Sequence, residues 1–274
     1  MKLKKLAVSL CTMALLAGCG SSGGSSDTED KTLRIGASVT PHAEIIRHIQ
    51  PILEEKGYTV EITEFTDYNK PNQALVDGEL DANFFQHQPY LEEWAEKAGV
   101  SDKLTSVLDV HFEPLGIYST KHDKLEVKDG DVISIPNDTT NGGRALKLLE
   151  DNGIITLKEG VGVFATVQDI EKYNVDVEIT ELVAEQCAIA IDDVDYAIVN
   201  GNNALNAKIS DKLLVSEDAN SESAKTYPNV IAVQTEHKDD QKIKDLVEAL
   251  NTEDVKNFIE ESYDGIVVPL VPAN

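Results

Sequence analysis

The stretch TLRIGASVTPHAEIIRHIQPILEEKGYTVEITEF, residues 32–65, changes its hydrophobic period twice, and those changes decide the fold class. Leu33, Ile35 and Ala37 alternate with polar or small residues, the pattern of a strand running from Leu33 to Ser38. Ile45, Ile46, Ile49 and Leu53 then recur at helical spacing, so the next segment is a helix with one apolar face. Pro51 has no backbone donor and is expected to bend or interrupt that helix. Gly57 ends it, and Tyr58 to Phe65 is extended again. Strand, helix, strand is one β-α-β unit, which predicts an α/β protein with mostly parallel sheets.

The alternation continues outward. A helix-like NQALVDG segment follows Lys70, then a short strand Ala82 to Phe85 and a helix Pro89 to Ala98. Extended segments at Leu104 to Leu108 and Val110 to Ser119 precede a second unit that begins near residue 120. There, strand Val132 to Ile135 leads through PNDTTNGGR into an amphipathic helix, Arg144 to Asp151, with Leu146, Leu148 and Leu149 on its apolar side. Further strands are expected at Val175 to Leu182, Tyr196 to Val199 and Val230 to Thr235, and two helices, about Asp240 to Leu250 and Thr252 to Ser262, close the chain. No segment has the composition of a floppy linker. Two lobes, 32–112 with 230–274 and 113–229, would therefore be joined by extended strands crossing near 109–119 and 226–233.

At the N-terminus, Lys2, Lys4 and Lys5 precede an apolar run from Leu6 to Leu16 and then Ala17, Gly18 and Cys19. This is a signal peptide, too short for a permanent span, which needs about 20 apolar residues. Residues 20–30, GSSGGSSDTED, contain no apolar side chain and read as a flexible tether. With Cys11 in the signal and Cys19 at the cleavage position, Cys187 is left alone in the folded part as a small buried hydrophobe. Stability must come from a core, and roughly 240 residues suffice to bury one or two. Removing three lysines from 24 basic residues leaves 21 against 49 acids, a net charge of −28. Such a chain is no nucleic-acid binder, and it has no basic patch for an anionic membrane.

Three segments carry chemistry. In PNDTTNGGRA, 136–145, a polar turn before a helix aims N–H groups at one point, which suits a carboxylate. Arg144 adds a bidentate cation, Asn141 a donor, and Asp138 could cap the turn. The spacing matches neither a P-loop nor a dinucleotide fingerprint. In DANFFQHQPYLEEW, 81–94, Phe84, Phe85, His87, Tyr90 and Trp94 crowd a strand end in a chain with 5% aromatic residues. Rings there could surround an apolar or thioether side chain, with at most one of Phe84 and Phe85 facing a pocket. In IVNGNNAL, 198–205, Asn200, Asn202 and Asn203 offer oxygens to an ammonium group, as does Asn229 in a YPN turn.

Together, FTDYNKPNQALVDGELDANFFQHQPYL at 65–91, HFEPLGIYS at 111–119, IPNDTTNGGRAL at 135–146 and DDVDYAIVNGNNAL at 192–205 resemble the NlpA/MetQ family, methionine-binding lipoproteins of ABC importers. LAGC at 16–19 resembles the lipobox of bacterial lipoproteins, which implies a diacylglycerol on Cys19 and a cell-membrane protein anchored on the extracytoplasmic face. The family resemblance implies a periplasmic-binding-protein fold: two α/β lobes joined by two crossing strands, with the ligand cleft between them. It also implies an ABC permease as partner, and neither cofactor nor metal. By motif, Tyr68, Phe85, His87 and Tyr90 would line the side-chain pocket, and Arg144 with Asn141 would hold the α-carboxylate. Asn200, Asn202 and Asn229 would lie nearest the ammonium group, Asn229 above all. Asn203 stands where the family commonly has tyrosine, and QCAIAI at 186–191 departs from its QLPRAL, so a methionine derivative, a methionine-containing dipeptide or another apolar amino acid are the alternatives to L-methionine. A metal-binding importer component using His42, His87 and His111 lacks compact ligand spacing. An enzyme would need a nucleophile beside a base or a carboxylate pair, and neither stands out.

Overall fold

A computed structural model describes residues 31–218 and 225–273. The signal segment, Cys19 and most of the tether lie outside the described residues. The opening unit forms as its periodicity requires: β1 (Thr32–Ser38) runs parallel to β2 (Thr59–Phe65), in register from Thr32 against Thr59 to Ser38 against Phe65. Between them, α1 (Glu44–Glu55) buries Ile45, Ile46, Ile49 and Leu53 completely against Leu33 and Ile35. Burial on that scale contributes roughly 1.5–3 kcal/mol per side chain. Pro51 does not interrupt α1, which runs through it. Pro51 and Arg47, one turn earlier, are both exposed, so the helical bond lost there is on the side where water can solvate the carbonyl.

The chain continues through α2 (Lys70–Val76), β3 (Ala82–His87) and α3 (Gln88–Ala98), which stops at Gly99 with φ 69°. The extended segments expected at 104–119 are one long strand, β4 (Leu104–Phe112), and a short one, β5 (Gly116–Tyr118), with Pro114 between them. The second unit contains β6 (Val132–Pro136), α4 (Thr139–Asp151), β7 (Ile155–Leu157), β8 (Ile170–Tyr173), β9 (Glu178–Leu182), α5 (Ala184–Ile189), β10 (Tyr196–Val199), α6 (Gly201–Ala207) and β11 (Leu213–Ser216). β12 (Pro228–Gln234), α7 (Gln241–Leu250), α8 (Glu253–Ser262) and β13 (Val268–Pro269) then complete the described chain.

The strands form two main sheets, ordered β13-β4-β12-β3-β1-β2 and β11-β5-β10-β6-β9, with β7 and β8 paired apart. Each sheet has its own core: Leu33, Ile35, Phe84 and Ile231 in the first, Leu115, Ile133, Leu149 and Tyr196 in the second. This is the two-lobed α/β architecture. The sheets are mixed, not mostly parallel. β12 is antiparallel to both β3 and β4, and β5 is antiparallel to β10 and β11. The reason is the connection: β4 carries the chain toward the second sheet, β12 carries it back, and the two lie side by side with Phe112 opposite Pro228.

A second correction concerns α4, which starts at Thr139 and not near Arg144. Asp138 caps it, accepting from the Asn141 N–H at 2.9 Å, so Asn141, Gly142 and Gly143 belong to its first turns. Gly142 is needed there because a β-carbon would stand 2.9 Å from the Pro136 carbonyl oxygen. Cys187 is fully buried, and burial pushes its thiol up to about 12, which leaves it an inert core residue. Among the described residues no helix is long and apolar enough to cross a membrane.

Candidate ligand-binding site

The strand and helix ends of both lobes converge on a cavity of about 310 Å³. All nine side chains singled out as ligand contacts, Tyr68 through Asn229, lie on its wall, joined by Gln86 and Glu113. The first lobe supplies the aromatic side. Phe85 on β3 and Tyr90 on α3 are buried, and the Tyr68 ring centroid lies 6.0 Å from that of Phe85 and 5.8 Å from that of Tyr90. Phe84 points the other way and packs against the rings of His42 and His111 at 4.5 and 5.3 Å. Strand alternation therefore separates the neighbours into one core ring and one cavity ring. Behind the wall, Asn72 and Gln86 exchange two amide hydrogen bonds of 2.7 Å, and Asn83 donates to Asn72 at 2.9 Å, which ties α2 to β3.

The second lobe supplies the polar side, from the first turns of α4 and α6. The N-terminus of α4 already serves the protein's own Asp138 carboxylate, which also accepts from the Asn141 side-chain amide at 2.9 Å. Asn141 Oδ1 in turn accepts from His87 Nε2 at 3.0 Å and from Asn200 Nδ2 at 2.8 Å. The Asn141 amide thus has partners at both ends and builds the wall, contrary to its expected use as a donor to a carboxylate. His87 accepts from the Tyr90 N–H through Nδ1 at 3.2 Å, so its proton sits on Nε2. Burial, helped by the Arg144 charge, pushes His87 down to about 3 and keeps it neutral.

Arg144 is the cation of the cavity and is 3% exposed. Its Nε donates to Glu217 Oε1 at 2.9 Å, and Nη2 donates to the Glu113 carbonyl at 2.7 Å. Its planar head lies 4.4 Å from the Tyr227 ring centroid. The sequence reading missed Glu217, which is 73 residues away and lies in a stretch with no motif. Its buried carboxylate fixes the guanidinium in place, and makes Arg144 part of the fold as well as of the cavity.

The asparagines divide the remaining work. Tyr68 donates its hydroxyl hydrogen to Asn202 Oδ1 at 2.6 Å, and Asn203 Nδ2 donates to the same hydroxyl at 3.3 Å. With His87 to Asn141, these bonds hold the lobes together across the cavity. Asn229 lies within β12, not in a turn, and its Oδ1 is 3.0 Å from His42 Nε2. Asn200 Oδ1 is buried in the wall with no hydrogen-bond donor.

Glu113 is the cavity residue that the sequence reading overlooked. The signal was present in HFEPLGIYS, where one acid sits in a run of otherwise uncharged residues just beyond a strand, and the whole run is buried. Its Oε2 accepts from the Asn202 N–H at 2.7 Å, and His111 Nε2 stands 2.8 Å from Oε1. Burial pushes this carboxyl above its usual range. His42, His111 and Glu113 place ligand-type atoms within 4.8 Å of one another. His87, the third histidine of the metal alternative, is instead engaged by Asn141 and Tyr90.

The NlpA lipoprotein family model matches residues 33–271. The methionine-binding lipoprotein MetQ of Bacillus subtilis (strain 168) is 39% identical over 275 residues, covering 98% of this chain and 99% of that protein. A lipoprotein of Ruminococcus gnavus ATCC 29149 superposes with a TM-score of 0.84 at 48% identity, over 88% of this chain and 99% of that one. A nutrient-binding protein of Burkholderia cenocepacia, solved bound to methionine, gives a TM-score of 0.81 at 37% identity over 87% and 99%. With four sequence motifs folded around one cavity and a family match along nearly the whole folded chain, the protein belongs to the NlpA lipoprotein family.

Proposed function

We propose that this protein captures L-methionine outside the cytoplasmic membrane and delivers it to an ABC importer. The observation that carries the reading is the division of the cavity wall: three aromatic rings, Tyr68, Phe85 and Tyr90, face a cation, Arg144. A thioether fits against ring edges and a carboxylate fits a guanidinium. The Bacillus subtilis relative that is named methionine-binding and the Burkholderia cenocepacia neighbour bound to methionine support it.

In this reading Cys19 carries the lipid, residues 20–31 tether the folded part, and residues 32–112 with 230–274 form one lobe against 113–229 in the other. The bonds from His87 to Asn141 and from Tyr68 to Asn202 close the cleft, and ligand bridging both walls shifts the population toward that closed form, which docks on the permease. The role is binding, with no bond made or broken.

Calorimetry on residues 20–274, unfolded and refolded to strip bound ligand, tests this against L-methionine, D-methionine, a glycyl-methionine dipeptide and zinc. One-to-one L-methionine binding is expected. Silence with methionine together with binding of the dipeptide, or of zinc at His42, His111 and Glu113, would replace the proposal.

A further inference from the structure

The reading above gives the ligand carboxylate to Arg144 and its side chain to the rings, which leaves the α-ammonium group without an anionic partner. Among the described residues lining the cavity, Glu113 is the one acid. Its carboxylate is held from behind by donors: the Asn202 N–H at 2.7 Å on Oε2, His111 Nε2 at 2.8 Å on Oε1, and His42 Nε2 at 3.5 Å from Oε1. Both ε-nitrogens face oxygen acceptors while both δ-nitrogens are buried without a partner, so each ring carries its proton on Nε2. Burial keeps both imidazoles neutral, His42 pushed down to about 4 and His111 to about 3. They donate hydrogen bonds without adding positive charge, so the carboxylate keeps its attraction for a cation in the cavity.

Two independent features point to the same place. Asn200 Oδ1 is a buried acceptor with no donor on the same cavity wall, on a residue 7% exposed. Gly201 leaves room for the acid: a β-carbon there would stand 3.0 Å from Glu113 Cβ and 3.1 Å from its Oε2. By contrast, Asn229, the expected ammonium contact, has its oxygen turned to His42.

We propose that Glu113 receives the α-ammonium group of the ligand, with Asn200 Oδ1 beside it, and that His42 and His111 are positioning residues that hold the carboxylate toward the cavity. The cavity then presents a cation and an anion to the two ends of a zwitterion. It admits α-amino acids with both groups free and rejects deaminated or N-acylated forms.

The inference rests on the proposed function, and ligand pairs separate the two. L-methionine and its 2-hydroxy analogue, 2-hydroxy-4-(methylthio)butanoate, differ only at the amino group. Calorimetry on the stripped wild-type chain and on Glu113→Gln is expected to show methionine affinity falling about 30-fold or more, the scale of a truncated buried charge pair. Affinity for the hydroxy acid is expected to change less than about threefold. Glu113→Asp, which keeps the charge and shortens its reach, is run beside it in case the glutamine variant does not fold, and is expected to lose methionine more than the hydroxy acid. His111→Leu is expected to show the same ligand split at smaller size. Equal losses for both ligands in the Glu113 variants would overturn the proposal and leave Glu113 a structural residue. If the wild type ignores methionine but binds another α-amino acid, only the methionine reading fails, and that amino acid with its hydroxy analogue replaces the pair. If no α-amino acid binds, both fail.

Discussion

Lowering the pH should unfold the ligand-free protein earlier than its acidic composition suggests, because three buried histidines are held neutral. His42, His87 and His111 are 0%, 5% and 0% exposed, and burial pushes them down to about 4, about 3 and about 3. In the unfolded chain each titrates near 6.5. Below that pH the unfolded state binds a proton on each that the native state refuses. Stability is therefore lost as pH falls from about 6.5 toward 3–4, at about 1.4 kcal/mol per pH unit for each histidine. By pH 5 the loss relative to pH 8 is about 2 kcal/mol each and about 6 kcal/mol together, comparable with a whole domain's stability. Glu113 and Asp138, whose carboxyls burial pushes up, bind protons in the native state first and offset part of this, so about 6 kcal/mol is the upper bound. Urea unfolding at pH 8, 6 and 5 measures the slope, and His87→Gln should flatten it by about one proton. A slope unchanged by that substitution, or a His87 ring resonance titrating above pH 5.5 by NMR, would refute the reasoning.

Gly142→Ala should cost about 1–3 kcal/mol in urea unfolding, because the new methyl meets the Pro136 carbonyl oxygen at 2.9 Å. Arg144→Met should abolish methionine binding and also destabilise the fold by about 3–5 kcal/mol, since it strands the buried Glu217 carboxylate. Adding Glu217→Gln should restore most of the melting temperature without restoring binding, which calorimetry and thermal unfolding read separately. Phe84→Ala should cost about 3–5 kcal/mol of stability, whereas Phe85→Ala should act mainly on methionine affinity, lowering it about tenfold or more.

What the sequence makes legible here is local and periodic. The apolar spacing of Ile45, Ile46, Ile49 and Leu53 is enough to place α1, and alternation at Phe84 and Phe85 is enough to divide them between core and cavity. The start of α4 is hidden because TTNGGR has no apolar period, and the cap that starts the helix rests on one side chain, Asp138. β7 and β8, at three and four residues, are too short to show a period, and in α5 the small residues Ala184, Cys187 and Ala188 do the packing that larger side chains usually announce. The antiparallel pairings come from the return of β12 to the first lobe, a tertiary fact that no local window holds. The candidate site divides the same way. Residues inside motifs are visible, whereas the partners that fix them are remote: Asn229 lies 187 residues from His42, and Glu217 lies 73 from Arg144.

The central claim is that a methionine-like ligand lies in this cavity with its sulfur among the rings. Beyond Cys19 the sequence contains no methionine, since Met1 and Met13 both precede it. A crystal of residues 20–274 grown with L-selenomethionine therefore contains selenium only in its ligand. The account predicts one anomalous peak among Tyr68, Phe85 and Tyr90, with the ligand carboxylate on Arg144. A cavity without selenium, or selenium at the Arg144 end with the charged groups among the rings, would contradict it.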